Sequence, residues 1–185
     1  MANHGVLYVK QIAATNVDAW NRTAVSGSDI DDGYVFRLDS QSGSATALYS
    51  EVWTTTVPSS NGSTLNNLWM SSSRGVNILY TANGLAYKGL EDDPRNFYVV
   101  SGSMISAFKP QVGDIVEMTT DCISGSKASN TFINSADGVY QLAWGATQTS
   151  SALSFKYLGD DYLAIGNGKM TTQHVTTYKF VCLAN

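Results

Sequence analysis

Residues 81–121 read TANGLAYKGLEDDPRNFYVVSGSMISAFKPQVGDIVEMTTD, a run of short apolar segments broken by turn-forming residues, with no helix-length pattern. Asn83-Gly84 separates Ile78-Leu79-Tyr80 from Leu85-Ala86-Tyr87. Asn-Gly supplies the two positive-φ residues that a two-residue hairpin turn requires, so a β-hairpin is expected there. Asp93-Pro94 stops any helix, and Lys109-Pro110 leads through Val112-Gly113-Asp114 into Ile115-Val116-Glu117-Met118, a strand entered through a turn.

Working outward, the last third repeats the β signal more clearly. Tyr140, Leu142 and Trp144 fall at alternate positions, as do Leu153, Phe155 and Tyr157, and then Tyr178, Phe180 and Cys182. Successive side chains of a strand point to opposite faces, so each triplet predicts one packed face. Gly159-Asp160-Asp161 is expected to be a second hairpin turn, between 155–158 and 162–165. Asp32-Gly33-Tyr34 and Asp137-Gly138-Val139-Tyr140 both read as turns entering strands. Gly5 to Ile12 alternates and can form a first strand, and 34–38, 47–57 and 76–80 carry the same pattern. The fold class expected is all-β, an antiparallel sandwich or barrel.

The stretch 13–28 is the least patterned, with room for a short helix over 16–21. Residues 1–28 are therefore expected to be an extended N-terminal arm or docking segment, and 29–185 a single all-β domain. Pro58 to Asn67, PSSNGSTLNN, is a loop by composition that would also serve as a linker between two parts.

Bulk properties narrow the function. The chain of 185 residues is 43% hydrophobic and 11% aromatic but only 14% charged, which fits a packed domain with a Ser-, Thr-, Asn- and Gly-rich surface. A net charge of -4 and eleven cations scattered singly from Lys10 to Lys179 argue against nucleic acid, whose affinity comes mainly from Lys and Arg displacing counterions. The N-terminus lacks a charged start followed by an apolar run, and no segment approaches the roughly 20 apolar residues that span a bilayer. A soluble product made in the cytoplasm, with no membrane partner, is the expectation. Cys122 and Cys182 are then expected to be reduced core thiols.

Catalytic and metal patterns are sparse. A triad needs a positioned base, and the two histidines are His4, in the N-terminal extension, and His174, a general-base candidate set against a solvent-facing imidazole at a strand edge. Neither cysteine has a Cys or His at zinc spacing. Asp29, Asp31, Asp32 and Gly33 begin like a calcium loop, but Ser40 stands where the bidentate Glu belongs, which leaves a solvated acidic turn. Glu91, Asp92 and Asp93 are neighbours in one loop and cannot by themselves flank a sugar. Gly166-Asn167-Gly168-Lys169 has no following helix and reads as a turn. No catalytic residue, cofactor or metal is expected. Of Trp20, Trp53, Trp69 and Trp144, the last ends a patterned strand and is expected in the core. Tyr8, Trp20 and Trp69 are the candidate interface residues, because amphipathic aromatics gain most from burial against a partner.

Three segments carry a resemblance: Tyr87-Lys88-Gly89-Leu90-Glu91-Asp92-Asp93-Pro94-Arg95-Asn96-Phe97, then Ala107-Phe108-Lys109-Pro110-Gln111-Val112-Gly113-Asp114, then Thr177-Tyr178-Lys179-Phe180. Over about residues 76–185 the chain resembles the small virion structural proteins of tailed bacteriophages, of the head decoration or auxiliary capsid type. That resemblance implies a non-enzymatic protein on the capsid surface, bound to the major capsid protein lattice, with a homotrimer favoured. The residues alone leave open a carbohydrate- or surface-binding β-module of a tail or fibre.

Overall fold

The computed structural model describes residues 4–11, 21–40, 53–60, 64–72, 79–82, 85–88, 95, 97–165 and 173–185. Among these the regular elements are strands, β1 (Leu7–Gln11), β2 (Asn21–Val25), β3 (Val35–Ser40), β4 (Trp53–Thr56), β5 (Trp69–Ser71), β6 (Leu79–Ala82), β7 (Leu85–Lys88), β8 (Met104–Phe108), β9 (Ile115–Thr119), β10 (Ile123–Ser124), β11 (Phe132–Asn134), β12 (Leu142–Gly145), β13 (Ser154–Ile165) and β14 (Gln173–Ala184), with one 3-10 turn at Thr120–Cys122. They form a seven-stranded sheet, β1-β9-β14-β13-β11-β12-β10, a closed five-stranded barrel, β2-β4-β3-β5-β8, and a separate two-stranded sheet, β6-β7. The all-β expectation holds, with an open sheet packed on a barrel. Pairing is antiparallel except for β2 with β4 and β10 with β12.

Strand alternation explains how sheet and barrel join. On β3, β5 and β8 one set of side chains, Phe36, Trp69, Ile105 and Ala107, belongs to the barrel's own cluster, to which β2 adds Ala24. The opposite set, Val35, Met70 and Phe108, belongs to the core cluster of the seven-stranded sheet. These three lie in one row across the strands, since Val35 pairs with Met70 and Met70 with Phe108. The barrel therefore packs its outer wall on the sheet. The sheet answers with its own rows, Val9, Val116, Phe180 and Tyr157, then Cys182, Phe155, Ile133 and Trp144. Phe155 and Phe180 are fully buried, each stabilising the fold by about 1.5–3 kcal/mol over exposure.

The faces expected for Leu153, Phe155 and Tyr157 and for Tyr178, Phe180 and Cys182 are found in this core. Tyr140 departs from its triplet. Leu142 and Trp144 face the sheet core, but Tyr140 precedes β12 and packs on the barrel cluster. The β6–β7 pair, with Ala82 opposite Leu85, has the register of a two-residue hairpin; Asn83 and Gly84 themselves lie outside the described residues. Gly33, Gly113 and Gly138 all have positive φ, as the turns assigned to them require.

Two expectations are corrected. Residues 1–28 are not an arm in their described parts. β1 pairs with β9, Val6 and Leu7 are buried, and β2 pairs with β8 to close the barrel. The polar surface of 13–28 concealed a barrel strand whose one inward residue is Ala24, while Asn21, Arg22 and Thr23 stay exposed. The second correction is Gly159-Asp160-Asp161, which is no turn. β13 runs through it, and Leu158 is the extra residue of a bulge between the pairs Tyr157–Phe180 and Gly159–Lys179. In the described parts of 58–67, residues 58–60 and 64–67, the loop expectation holds, and the segment stitches sheet to barrel. Leu65 N–H donates to Ser151 O, and Leu65 O accepts from Leu153 N–H.

Candidate functional site

Four places gather polar or aromatic side chains. The first lies where the N-terminal segment meets the turn before β3. His4 Nδ1 is 2.8 Å from Asp31 Oδ1, Gly5 N–H donates to Asp31 Oδ2 at 3.0 Å, and His4 N–H donates to Arg95 O at 2.7 Å. The His4 ring stacks on Tyr98 with centroids 4.5 Å apart. Below it, Cys122 Sγ approaches Val6 O at 3.4 Å and Asp32 O at 3.3 Å, and Ser71 Oγ donates to Asp32 Oδ1 at 3.3 Å. Burial pushes the Cys122 thiol well up, and burial followed by the charge of Asp31 holds the Tyr34 hydroxyl at about 12. A nucleophilic cysteine must reach its thiolate, and Cys122 is held as a thiol.

This cluster fastens chain segments. It also corrects the acidic-turn expectation, because Asp31 and Asp32 are buried and serve as acceptors for the fold; only Asp29 is exposed, accepting from Ser101 N–H at 2.9 Å. His4, expected in an extension, is docked. Cys122 and Cys182 are free and buried, as expected. His174 is exposed on β14, opposite Ala164.

The second place is a charged row on the sheet's far face. Register sets Glu117 between Tyr8 and Lys179. Glu117, almost fully buried, pairs with Lys10 at 2.6 Å and accepts from Thr177 Oγ1 at 2.5 Å. Lys179 pairs with Asp161. The signs alternate across β1, β9, β14 and β13, so neighbouring strands attract.

The third place is the end of the core face. Trp144, Tyr157, Tyr178 and Phe180 meet at 5.5–6.4 Å, edge to face except for the tilted Trp144–Phe180 pair. Lys127 lies over Tyr157 at 4.4 Å and Tyr178 at 5.0 Å, and its ammonium donates to Tyr157 Oη and Asp160 Oδ1, each at 2.7 Å. Tyr157 Oη in turn donates to Asp160 at 2.6 Å. Beyond this knot β13 and β14 leave the sheet. β11 pairs only with Ser154–Lys156, and β9 only with Thr177–Val181, whereas β13 and β14 stay paired to Ile165 and Gln173. The projecting ribbon exposes Leu158 (51%) and Tyr162 (66%).

The fourth is a polar cleft of about 260 Å3 on the barrel, lined by Asn21, Arg22, Thr23, Ser72, Ser106 and Ala107. Arg22 also lies 5.8 Å from the Trp69 ring.

Of the candidate interface residues, Tyr8 lies on the seven-stranded sheet and Trp69 on the barrel. Tyr8 is half-buried on the charged face, with Lys10 5.8 Å from its ring. Trp69 packs against the barrel cluster, so its burial is accounted for within the chain. Trp20 lies outside the described residues, as do Glu91, Asp92, Asp93 and Gly166 to Lys169. The sequence reading missed Leu158, Tyr162 and the Lys127–Asp160 knot, because a continuous β13 was needed to reveal them. Among the described residues no group of three or more His, Cys, Asp or Glu side chains is placed to hold a metal, and no helix is long and apolar enough to cross a membrane. No family model, curated protein or solved structure matches the chain.

Proposed function

We propose that this protein is a non-enzymatic virion structural component, a capsid decoration protein that binds the head lattice through the major capsid protein and acts as a homotrimer. The observation that carries the reading is the ribbon of β13 and β14, which leaves the sheet with two large apolar side chains in solvent. A monomeric domain gains nothing from such an element, since two strands alone are marginal in water. A lattice-binding protein gains a contact that symmetry repeats, so modest affinities multiply. The sequence resemblance over 76–185 points the same way. The test is to mix purified protein with virus heads lacking it and sediment the heads. The expected result is saturable co-sedimentation in a fixed ratio to the capsid subunit; no co-sedimentation refutes the reading.

A second reading, a saccharide-binding module of a tail or fibre, has one observation in its favour. The barrel cleft offers hydroxyls and amides from Asn21, Thr23, Ser72 and Ser106 beside the Arg22 guanidinium, the polar chemistry that hydroxylated ligands need. Shifts of the Thr23 and Ser106 amide resonances on adding host-surface saccharides, abolished by Arg22→Ala, would favour it over decoration.

A further inference from the structure

Apart from the separate two-stranded β6–β7 pair, the described strand edges are guarded in every place except one. The barrel is closed and has none. At one edge of the seven-stranded sheet β10 is two residues long, and at the other β1 has a register irregularity at Lys10, whose ammonium reaches to Glu117. Short strands, irregularities and lysines are the ordinary ways of blunting an edge. The ribbon is different. From Leu158 to Ile165, β13 pairs among the described strands only with β14, and from Gln173 to Thr176, β14 pairs only with β13. Its two carboxylates, which would otherwise repel an incoming strand, are each neutralised from within, Asp160 by Lys127 and Asp161 by Lys179.

We infer that the ribbon docks onto a second copy of this chain by strand addition, the open edge of β13 pairing antiparallel with the open edge of the next copy's β14. This rests on the oligomeric assembly proposed above and names its contact. The occupant follows from the two edges being different and both unpaired among the described strands. Pairing β13 with a second β13 would leave both β14 edges open, whereas β13 onto β14 passes the open edge to the next copy until a ring closes. Two copies would give four strands. Three give six, just beyond the five that already close in this molecule's own barrel.

The register also assigns an inside. Leu163 pairs with Val175, and Ile165 with Gln173, at alternate positions to Tyr162–Thr176 and Ala164–His174. The side of the ribbon carrying positions 161, 163, 165, 173 and 175 holds Leu163, Ile165 and Val175 beside Asp161 and Gln173. The alternate positions hold Asp160, Tyr162, Ala164, His174 and Thr176, and the ring turns the first, more apolar side inward. Tyr162 and His174, both exposed, lie on the outward side.

Sedimentation equilibrium of the full chain is expected to give three times the 19.9 kDa chain mass. Val175→Asp, which sets a carboxylate in the ring interior, is expected to lower that mass threefold while the cooperative melt remains. Hydrogen exchange of the unaltered protein gives an independent reading. Amides of 158–165 and 173–176 on the outer edges are expected to be protected at high concentration and to lose protection on dilution. A wild-type monomer, a trimer that survives Val175→Asp, or edge amides that exchange fast at every concentration would each overturn the inference. Head binding separates this from the broader proposal: heads that bind a trimer indifferent to Val175→Asp leave decoration standing and remove the ribbon ring.

Discussion

Gly33 shows how much a single position can hold. Its φ is +80°, and a Cβ there would stand 2.9 Å from Cys122 Sγ, so both the backbone and the space exclude a side chain. Gly33→Ala is expected to cost about 1–2 kcal/mol from the left-handed backbone alone, with more from the displaced thiol, read as a lower denaturation midpoint in urea. Asp32-Gly33 was legible as a turn in the sequence because turn chemistry is local. The thiol beneath it was not, since Cys122 reaches Asp32 O across 90 residues. The same sealing gives a reactivity expectation. Burial raises both thiols, Cys182 to about 12, so neither should react with a thiol reagent at neutral pH until the protein unfolds; stoichiometric labelling of the native chain would contradict the buried placement.

At the scale of elements, the long hairpin of β13 and β14 is where the sequence misled. Gly159-Asp160-Asp161 has turn composition, and only partners far along the chain convert it into a bulged strand. Lys127 holds Asp160 from 33 residues away. Hydrogen bonds from Lys127 and then Tyr157 depress the Asp160 carboxyl, and those from Lys179 and then the Tyr162 amide depress Asp161. A depressed carboxyl contributes stability above its unfolded value, about 3.9, and loses it as pH falls through the folded value. Acid below about pH 4 should therefore loosen the ribbon, seen as faster exchange of β13 amides around 160–162. Lys127→Met should weaken that pH dependence at Asp160, leaving the part due to Tyr157, and spare Asp161. Both groups are exposed, so the effect is local and screened by salt. The alternating triplets of the last third were legible because period-2 burial is written in consecutive residues; β2 was not, because its neighbours β4 and β8, and not its own composition, make it a strand.

For the whole molecule, one row decides cooperativity. Val35, Met70 and Phe108 belong to barrel strands yet sit in the sheet's core, so the barrel has no complete surface of its own to retain if the sheet melts. Met70→Ala is expected to destabilise by about 2–5 kcal/mol, with tryptophan fluorescence and far-ultraviolet dichroism changing in a single coincident transition. Two separated transitions would show that sheet and barrel fold as independent units. The all-β class was readable from pattern alone, but the division into sheet and barrel was not, since strand order depends on pairings between distant segments.

Such distant pairing governs how the chain emerges during synthesis. Val6 N–H donates to Thr119 Oγ1, a separation of 113 residues, and β1 finds β9 only across that span. On the ribosome β1 must wait without its pairing partner until the residues that separate it from β9 have been made. The pair of β13 and β14 waits longer still, because both strands follow β9 in the chain. Nascent chains of this protein should consequently lean on chaperones early and acquire protease resistance only once β14 has emerged, since loop closure over long distances is slow.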